Sequence, residues 1–284
     1  MRKIAGRKVQ RNSIVTNELL AQVNPENIDL GNDFLDYLRS VDRAGSTIDQ
    51  YKNDLKIFWV YLLQHCNNKF FVELSKRDIS KYQSYCLTEW KWSPARMRRV
   101  KSTLSSLSNY VENMLDDEFE NYRPIVRKIE NPVNEKVMVK TVLEEEQLQN
   151  LLDYLVEKQQ FDKACMLSLA MNSGRRKSEL PRFKVNYFDD KNIIYGSLYK
   201  TPEKIKTKGR GSRGKMLTAY VLSKPFKPYL DLWMNYRKEH GIESEWLFPK
   251  KVSGEYIDKP MTSYHEYNKY EKGRKLVEKL LEGQ

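Results

Sequence analysis

Apolar residues step by threes and fours through the first 115 positions, and that spacing commits the region to helices. Ile48, Tyr51, Leu55, Phe58 and Leu62 share one face of a 3.6-residue period, with Ser46-Thr47 as the expected cap ahead of them. Met97, Val100, Leu104, Leu107 and Val111 form a second stripe behind Ser93-Pro94, a serine that caps and a proline that suits a first helical turn. Between the two stripes, Ile79, Tyr82, Tyr85 and Cys86 predict a helix opened by Ser75 or Asp78, and Phe34, Leu35 and Leu38 predict one ahead of the first. Residues 30–115 therefore read as a small all-α bundle behind a basic tail over 1–29.

The period disappears over 116–140, where charges mix with Pro124 and Pro132, and this segment reads as a linker. Thr141-Val-Leu-Glu144 has the form of a capping box that opens a second domain over 141–284. Leu148, Leu151, Leu152 and Leu155 begin its helices; Ala164, Leu167 and Met171 carry another that Asn172-Ser173-Gly174 would end. Residues 192–198 and 216–222 are then rich in β-branched and aromatic side chains and read as a strand pair, with Gly209, Gly211 and Gly214 at its tip. Helical spacing returns at Phe226, Tyr229, Leu230 and Trp233 after Pro225. The expected fold is mainly α with a small β-sheet.

Fifty lysines and arginines against 38 acids leave a formal charge of +12, as expected of a chain that meets a polyanion. Charge alone leaves open a nucleic acid, a membrane-surface partner or a merely solvated basic surface. Arg2, Lys3, Arg7, Lys8 and Arg11 are broken up by polar residues with no apolar stretch like a signal peptide, so a cytoplasmic location is expected. Cys66, Cys86 and Cys165 have no Cys-x-x-Cys spacing and read as reduced thiols, with neither a disulfide framework nor a metal site.

Four stretches are candidates for chemistry. In Asn172-Ser-Gly-Arg-Arg-Lys-Ser-Glu-Leu180 a helix stops at glycine and a new one is expected to begin with two arginines; an arginine held there presents a fixed fork of donors to a phosphate, or simply decorates a helix start. Lys206-Thr-Lys-Gly-Arg-Gly-Ser-Arg-Gly-Lys215 holds five basic residues and no acid; it can track a phosphate backbone or form a solvated loop. Glu245-Trp-Leu-Phe-Pro249 by itself means core packing. Arg96, Arg98, Arg99 and Lys101, early in the helix from Ser93, are placed to reach phosphates or bases in a groove, or to form a solvated face.

In their order and approximate spacing, Gly-x-Arg-x-Ser-Glu-Leu, a Lys-Gly on the strand pair and Leu-Phe-Pro resemble the catalytic domain of the tyrosine recombinases, the phage integrases. Ser46-Thr-Ile-Asp-Gln-Tyr51 with Leu55 and Phe58 is similar to the start of that family's helical core-binding, SAM-like domain. The resemblance spans about residues 30 to 262. It implies a two-domain protein that clamps duplex DNA and a tyrosine that attacks a phosphodiester to leave a 3′-phosphotyrosyl link, with no metal, cofactor or small-molecule substrate. It further implies that Arg176 is the first catalytic arginine, Lys208 the hairpin lysine that protonates the 5′ leaving oxygen, and Glu179 a support for Arg176. Lys206, Arg210 and Arg213 become DNA contacts, with Lys206 and Arg210 close enough to exchange roles with Lys208. The expected partners are DNA and either further copies of this chain or a full-length recombinase.

The family's second cluster, His-x-x-Arg followed by the nucleophilic tyrosine, has no counterpart. His65 precedes Cys-Asn-Asn, His240 precedes Gly-Ile-Glu, and His265 precedes Glu-Tyr-Asn. Tyr264, Tyr267 and Tyr270 remain as displaced candidates for the nucleophile, and the catalytic domain is expected to be incomplete at its C-terminal end. Leu276, Val277, Leu280 and Leu281 read as an amphipathic helix that packs on its own domain or on a neighbour. A non-cutting DNA-site or partner-binding protein, or a helical interaction module with incidental charge, are the other readings.

Overall fold

The computed structural model describes residues 14–133, 143–207 and 214–261. The described residues form two compact units, 14–133 and 143–261.

The first unit is helical. A short α1 (Asn17–Leu20) leads into α2 (Pro25–Ser40), α3 (Gly45–His65), α4 (Lys76–Thr88) and α5 (Pro94–Met114). The helix starts follow the cap residues closely. Ser93 accepts from the Arg96 amide with Pro94 in the first turn, and Ser75 and Asp78 form a reciprocal capping box. For α3 the cap differs from expectation: Ser46 and Thr47 lie inside the helix, and Ala44 holds the cap position without a side-chain bond. The stripes converge on one core in which Phe58, Tyr82, Met97, Leu104, Leu107 and Val111 are fully buried, and the Phe58 and Tyr82 rings meet edge-on at 4.8 Å. Each such side chain contributes about 1.5–3 kcal/mol when removed from water.

Residues 116–133 correct the linker reading. Val126 is fully buried in that same core, and Phe119, Tyr122, Ile125 and Ile129 pack against it around a 3₁₀ turn at Val126–Lys128. The Tyr122 hydroxyl also meets the Ser108 hydroxyl at 2.7 Å. A segment that buries apolar groups through turns leaves no period of two or 3.6 to recognise.

The second unit mixes helices with short strands. Its helices are α6 (Glu145–Glu157), α7 (Phe161–Ser173) and α8 (Ser223–Glu239). The box that opens α6 is made by Glu144 and Gln147 rather than Thr141, which lies outside the described residues. Gly174 ends α7 in the left-handed conformation, φ 59°, as its position predicts. The strands are β1 (Ile193–Ile194), β2 (Leu198–Lys200), β3 (Ile205–Thr207), β4 (Lys215–Leu217), β5 (Tyr220–Leu222), β6 (Pro249–Val252) and β7 (Glu255–Pro260). The expected single strand pair is divided between two small sheets. β5 pairs antiparallel with β2, which pairs with β1, while β4 pairs with β3 as a separate hairpin that spans the basic stretch. Phe183, Tyr199, Phe226, Trp233, Leu247 and Phe248 form the core beneath them.

Among the described residues no helix is long and apolar enough to cross a membrane, and no cluster of three His, Cys, Asp or Glu could hold a metal ion. The three cysteines are free and buried, and burial pushes the Cys86 thiol up to about 12, which keeps it protonated and unreactive.

Candidate functional site

The turn after α7 is built to expose one arginine. No helix starts at Arg175, contrary to expectation; residues 177–179 form a turn and Leu180–Arg182 a 3₁₀ helix. Pro181 contributes to this, because it has no amide proton to bond the Lys177 carbonyl as a continued α-helix would require. Leu180 and Pro181 are buried beneath the turn, and the Glu179 amide bonds the Arg176 carbonyl at 2.8 Å. Arg176 stands out from it with a side chain 66% exposed, its Nη1 held 3.3 Å from Glu179 Oε1, while the Glu179 carboxylate is 3% exposed. A buried acid thus orients an exposed guanidinium whose other donors face outward, an arrangement suited to an oxyanion.

Two further segments join this turn. The Arg182 Nη1 donates to the Lys206 carbonyl on β3, and Arg175 Nη2 donates to the Thr218 carbonyl just beyond β4 at 2.9 Å. The hairpin is closed at its described end by Thr207 Oγ1, which donates to the Lys215 carbonyl at 2.9 Å, and by Gly214 at φ 60°. A β-carbon at Gly214 would lie 2.7 Å from the Thr207 carbonyl oxygen, so glycine is required there. On the other side, Leu247 bonds back to the Phe183 carbonyl and Val185 to that of Glu245, both at 2.9 Å. Arg237, itself buried, braces that segment by donating to the carbonyls of Ser244, Trp246 and Leu247 at 2.7–2.9 Å. Three stretches separated by tens of residues in sequence are therefore neighbours in space. Lys208, Arg210 and Arg213 fall outside the described residues, as do Tyr264, Tyr267 and Tyr270.

In the first unit, the basic start of α5 is less open than its sequence implies. Lys101 is 5% exposed, and its ammonium donates to the Ile129 carbonyl. It ties 116–133 to the helix and is withdrawn from the set of groove-reaching side chains. Arg99 makes a two-pronged bond to Asp54, 3.0 Å on each side, and Thr103 Oγ1 adds a third at 2.9 Å. Arg96 stacks on Trp92, 3.9 Å from the ring centroid, and Arg98 donates to the Pro132 carbonyl at 3.3 Å while exposed. An open groove between α3 and α5 is lined by Ser46, Gln50, Asn53, Asp54, Arg96 and Arg99.

Sequence reasoning missed Asp54, Arg175 and Arg182. Asp54 left a signal, an acid at a core-facing position beside Leu55 within an apolar stripe, a place where acids seldom stand unpaired. The two arginines left none, because their partners are backbone carbonyls that every residue carries.

Comparison with known proteins agrees with this architecture. The "Phage integrase family" model matches residues 141–280, and the "Phage integrase, N-terminal SAM-like domain" model matches 30–121. The SPbeta prophage-derived recombinase-like protein YomM of Bacillus subtilis (strain 168) is 29% identical over 244 residues, which cover 85% of this chain and 70% of that protein. Among solved structures, the Tn1549 transposon integrase in complex with circular intermediate DNA superposes with a TM-score of 0.60 at 15% identity, covering 88% of this chain and 78% of that one. A lambda integrase dimer bound to a COC′ core site gives 0.60 at 13% identity, covering 88% and 80%. At such identities the solved structures speak for the fold. With one family's two domain models falling on the two units in the same order, the chain belongs to the phage integrase family, the tyrosine recombinases.

Proposed function

We propose that this chain binds duplex DNA and takes part in site-specific recombination by presenting Arg176 and Lys208 to one phosphodiester. The observation that carries the reading is that the basic hairpin and the Glu245–Leu247 segment both bond to residues 175–185, the stretch that carries Arg176. In the reaction a tyrosine hydroxyl attacks phosphorus and gives up its proton to solvent, the P–O bond to the 5′ oxygen breaks, and that oxygen leaves with a proton from Lys208. Arg176 offsets the charge that builds on the phosphoryl oxygens, and Glu179 holds it in place. Arg96, Arg98 and Arg99 meet DNA from the first unit, and Lys206, Arg210 and Arg213 from the hairpin. The nucleophile is one of Tyr264, Tyr267 and Tyr270, or a tyrosine of a partner recombinase.

A second reading is a DNA-site occupant that does not cut. It is favoured by one feature, that none of the three histidines begins a His-x-x-Arg. Incubation with duplex carrying a nicked attachment site separates the two. A covalent protein–DNA adduct on a denaturing gel, abolished by Arg176→Ala, supports strand cleavage; retarded duplex without adduct supports site occupancy. Absence of both would remove both readings.

A further inference from the structure

We infer that Arg175 and Arg182 are positioning residues that hold both strands of the basic hairpin against the Arg176 turn, so that Arg176 and the hairpin cations meet the same stretch of DNA backbone. The inference deepens the DNA-phosphate reading above and rests on it.

The hairpin lacks the means to fix itself. Its strands have three residues each, and an isolated two-stranded ribbon of that length is marginal in water. β3 buries Ile205 and Thr207, whereas all three residues of β4 are exposed; the chain beyond β4 is tied at buried Ala219, which exchanges bonds with Thr201, but packing secures β4 itself less than β3. The arginines supply what is missing. Arg175 takes the Thr218 carbonyl just past the base end of β4, and Arg182 takes the Lys206 carbonyl on β3. Neither arginine pairs with a carboxylate among the described residues, so their charge goes to the hairpin backbone. A guanidinium bond to a carbonyl is stronger than a neutral one, and the planar fork loses little freedom in making it.

The other ends of both clamps are rigid. Arg175 follows Gly174, its amide held by Ser173 Oγ at 3.3 Å, and the Arg182 amide bonds the Glu179 carbonyl at 3.1 Å over the buried Leu180 and Pro181. Arg176 and its partner Glu179 lie between the two clamps in sequence. The anchor at Lys206 lies two residues before Lys208 in sequence. One short turn thereby sets Arg176 and the hairpin in a common frame.

A double-mutant cycle on binding of a fluorescent duplex at low salt tests this. In the unaltered chain, Lys208→Ala should weaken binding about tenfold, as loss of one charge-assisted contact does. In the Arg175→Ala/Arg182→Ala background it should cost less than twofold, since the strands that lead to the lysine are no longer held, and Arg182→Lys, which keeps a donor, should recover most of the Lys208 effect. Equal losses from Lys208→Ala in both backgrounds would overturn the inference and make the arginines independent contacts or packing. If the double variant does not melt cooperatively, Arg182→Ala alone replaces it in the cycle. An unaltered chain that fails to bind duplex would sink the DNA reading itself. Binding that is indifferent to Lys208→Ala would leave that reading intact and overturn the clamp.

Discussion

The two units spend their positive charge differently. At the start of α5, Arg96, Arg98, Arg99 and Lys101 all contact their own unit: a tryptophan face, two backbone carbonyls and a buried aspartate. In the turn after α7, Arg175 is likewise engaged by backbone, but Arg176 projects into solvent from an acid buried beneath it. Both stretches look alike as sequence, since each is a basic run at a helix boundary. The difference teaches that a run of cations does not by itself say which of its members tertiary structure engages and which it leaves projecting. Burial of a partner carboxylate, as at Glu179, can hold a cation outward as readily as burial of the cation itself draws it in.

The contrast can be broken most sharply at Arg176. Where adduct formation is observed, Arg176→Ala should slow it by about 10²–10³-fold and change duplex retention by only a fewfold, as loss of a transition-state donor does. An equal loss of retention would make Arg176 an ordinary DNA contact like those proposed for α5. Next in size is Arg99→Ala, which leaves the Asp54 carboxylate buried without its two-pronged partner. Denaturant unfolding of the first unit should lose about 2–3 kcal/mol, below the full cost of breaking a buried pair because the Arg99 side chain is 39% exposed. Stability unchanged while DNA binding falls would leave Arg99 its proposed DNA contact and remove its role as the partner that Asp54 needs.

Lys101→Ala should cost about 1–3 kcal/mol by leaving the Ile129 carbonyl without its donor, and should leave the affinity of the folded protein for duplex unaltered. Weakened binding at full stability would reverse the assignment. The smallest effect lies at the α4 cap. Burial works to raise the Asp78 carboxyl, but hydrogen bonds from the Ser75 amide and hydroxyl, with Lys69 and Lys81 nearby, outweigh it and hold Asp78 below its ordinary value. A carboxyl lowered on folding adds stability above its unfolded value, near pH 4, and that stability fades as pH falls through the folded value. Ser75→Ala should remove about 1 kcal/mol near pH 7 and flatten this acid limb in thermal melts, whereas an unchanged limb would show that the box does not set it.

Much of the helical scaffold was legible, because an amphipathic helix writes its buried face into the spacing of its residues. Phe58, Leu104 and Val111 were identified from that spacing and are fully buried. Segment 116–133 was not legible, since Val126 enters the core through a 3₁₀ turn between prolines and repeats nothing. The candidate site was legible as an ordered set of motifs, but the exposure of Arg176 and the burial of Glu179 beneath it were not. Its supporting arginines were not, because a bond to a backbone carbonyl has no complementary side chain to find.

By itself, then, the sequence determined the helical periods, the caps at Ser93 and Ser75, the stop at Gly174 and the family, all of which depend on residues near one another along the chain or on motif order. Tertiary structure alone decided which strands pair, that Lys101 turns inward, that Asp54 takes Arg99, and that two arginines grip the hairpin. The physical reason is that each of these is a competition between solvent and a distant partner for the same polar group, and the outcome depends on a distance that the linear order of residues does not contain.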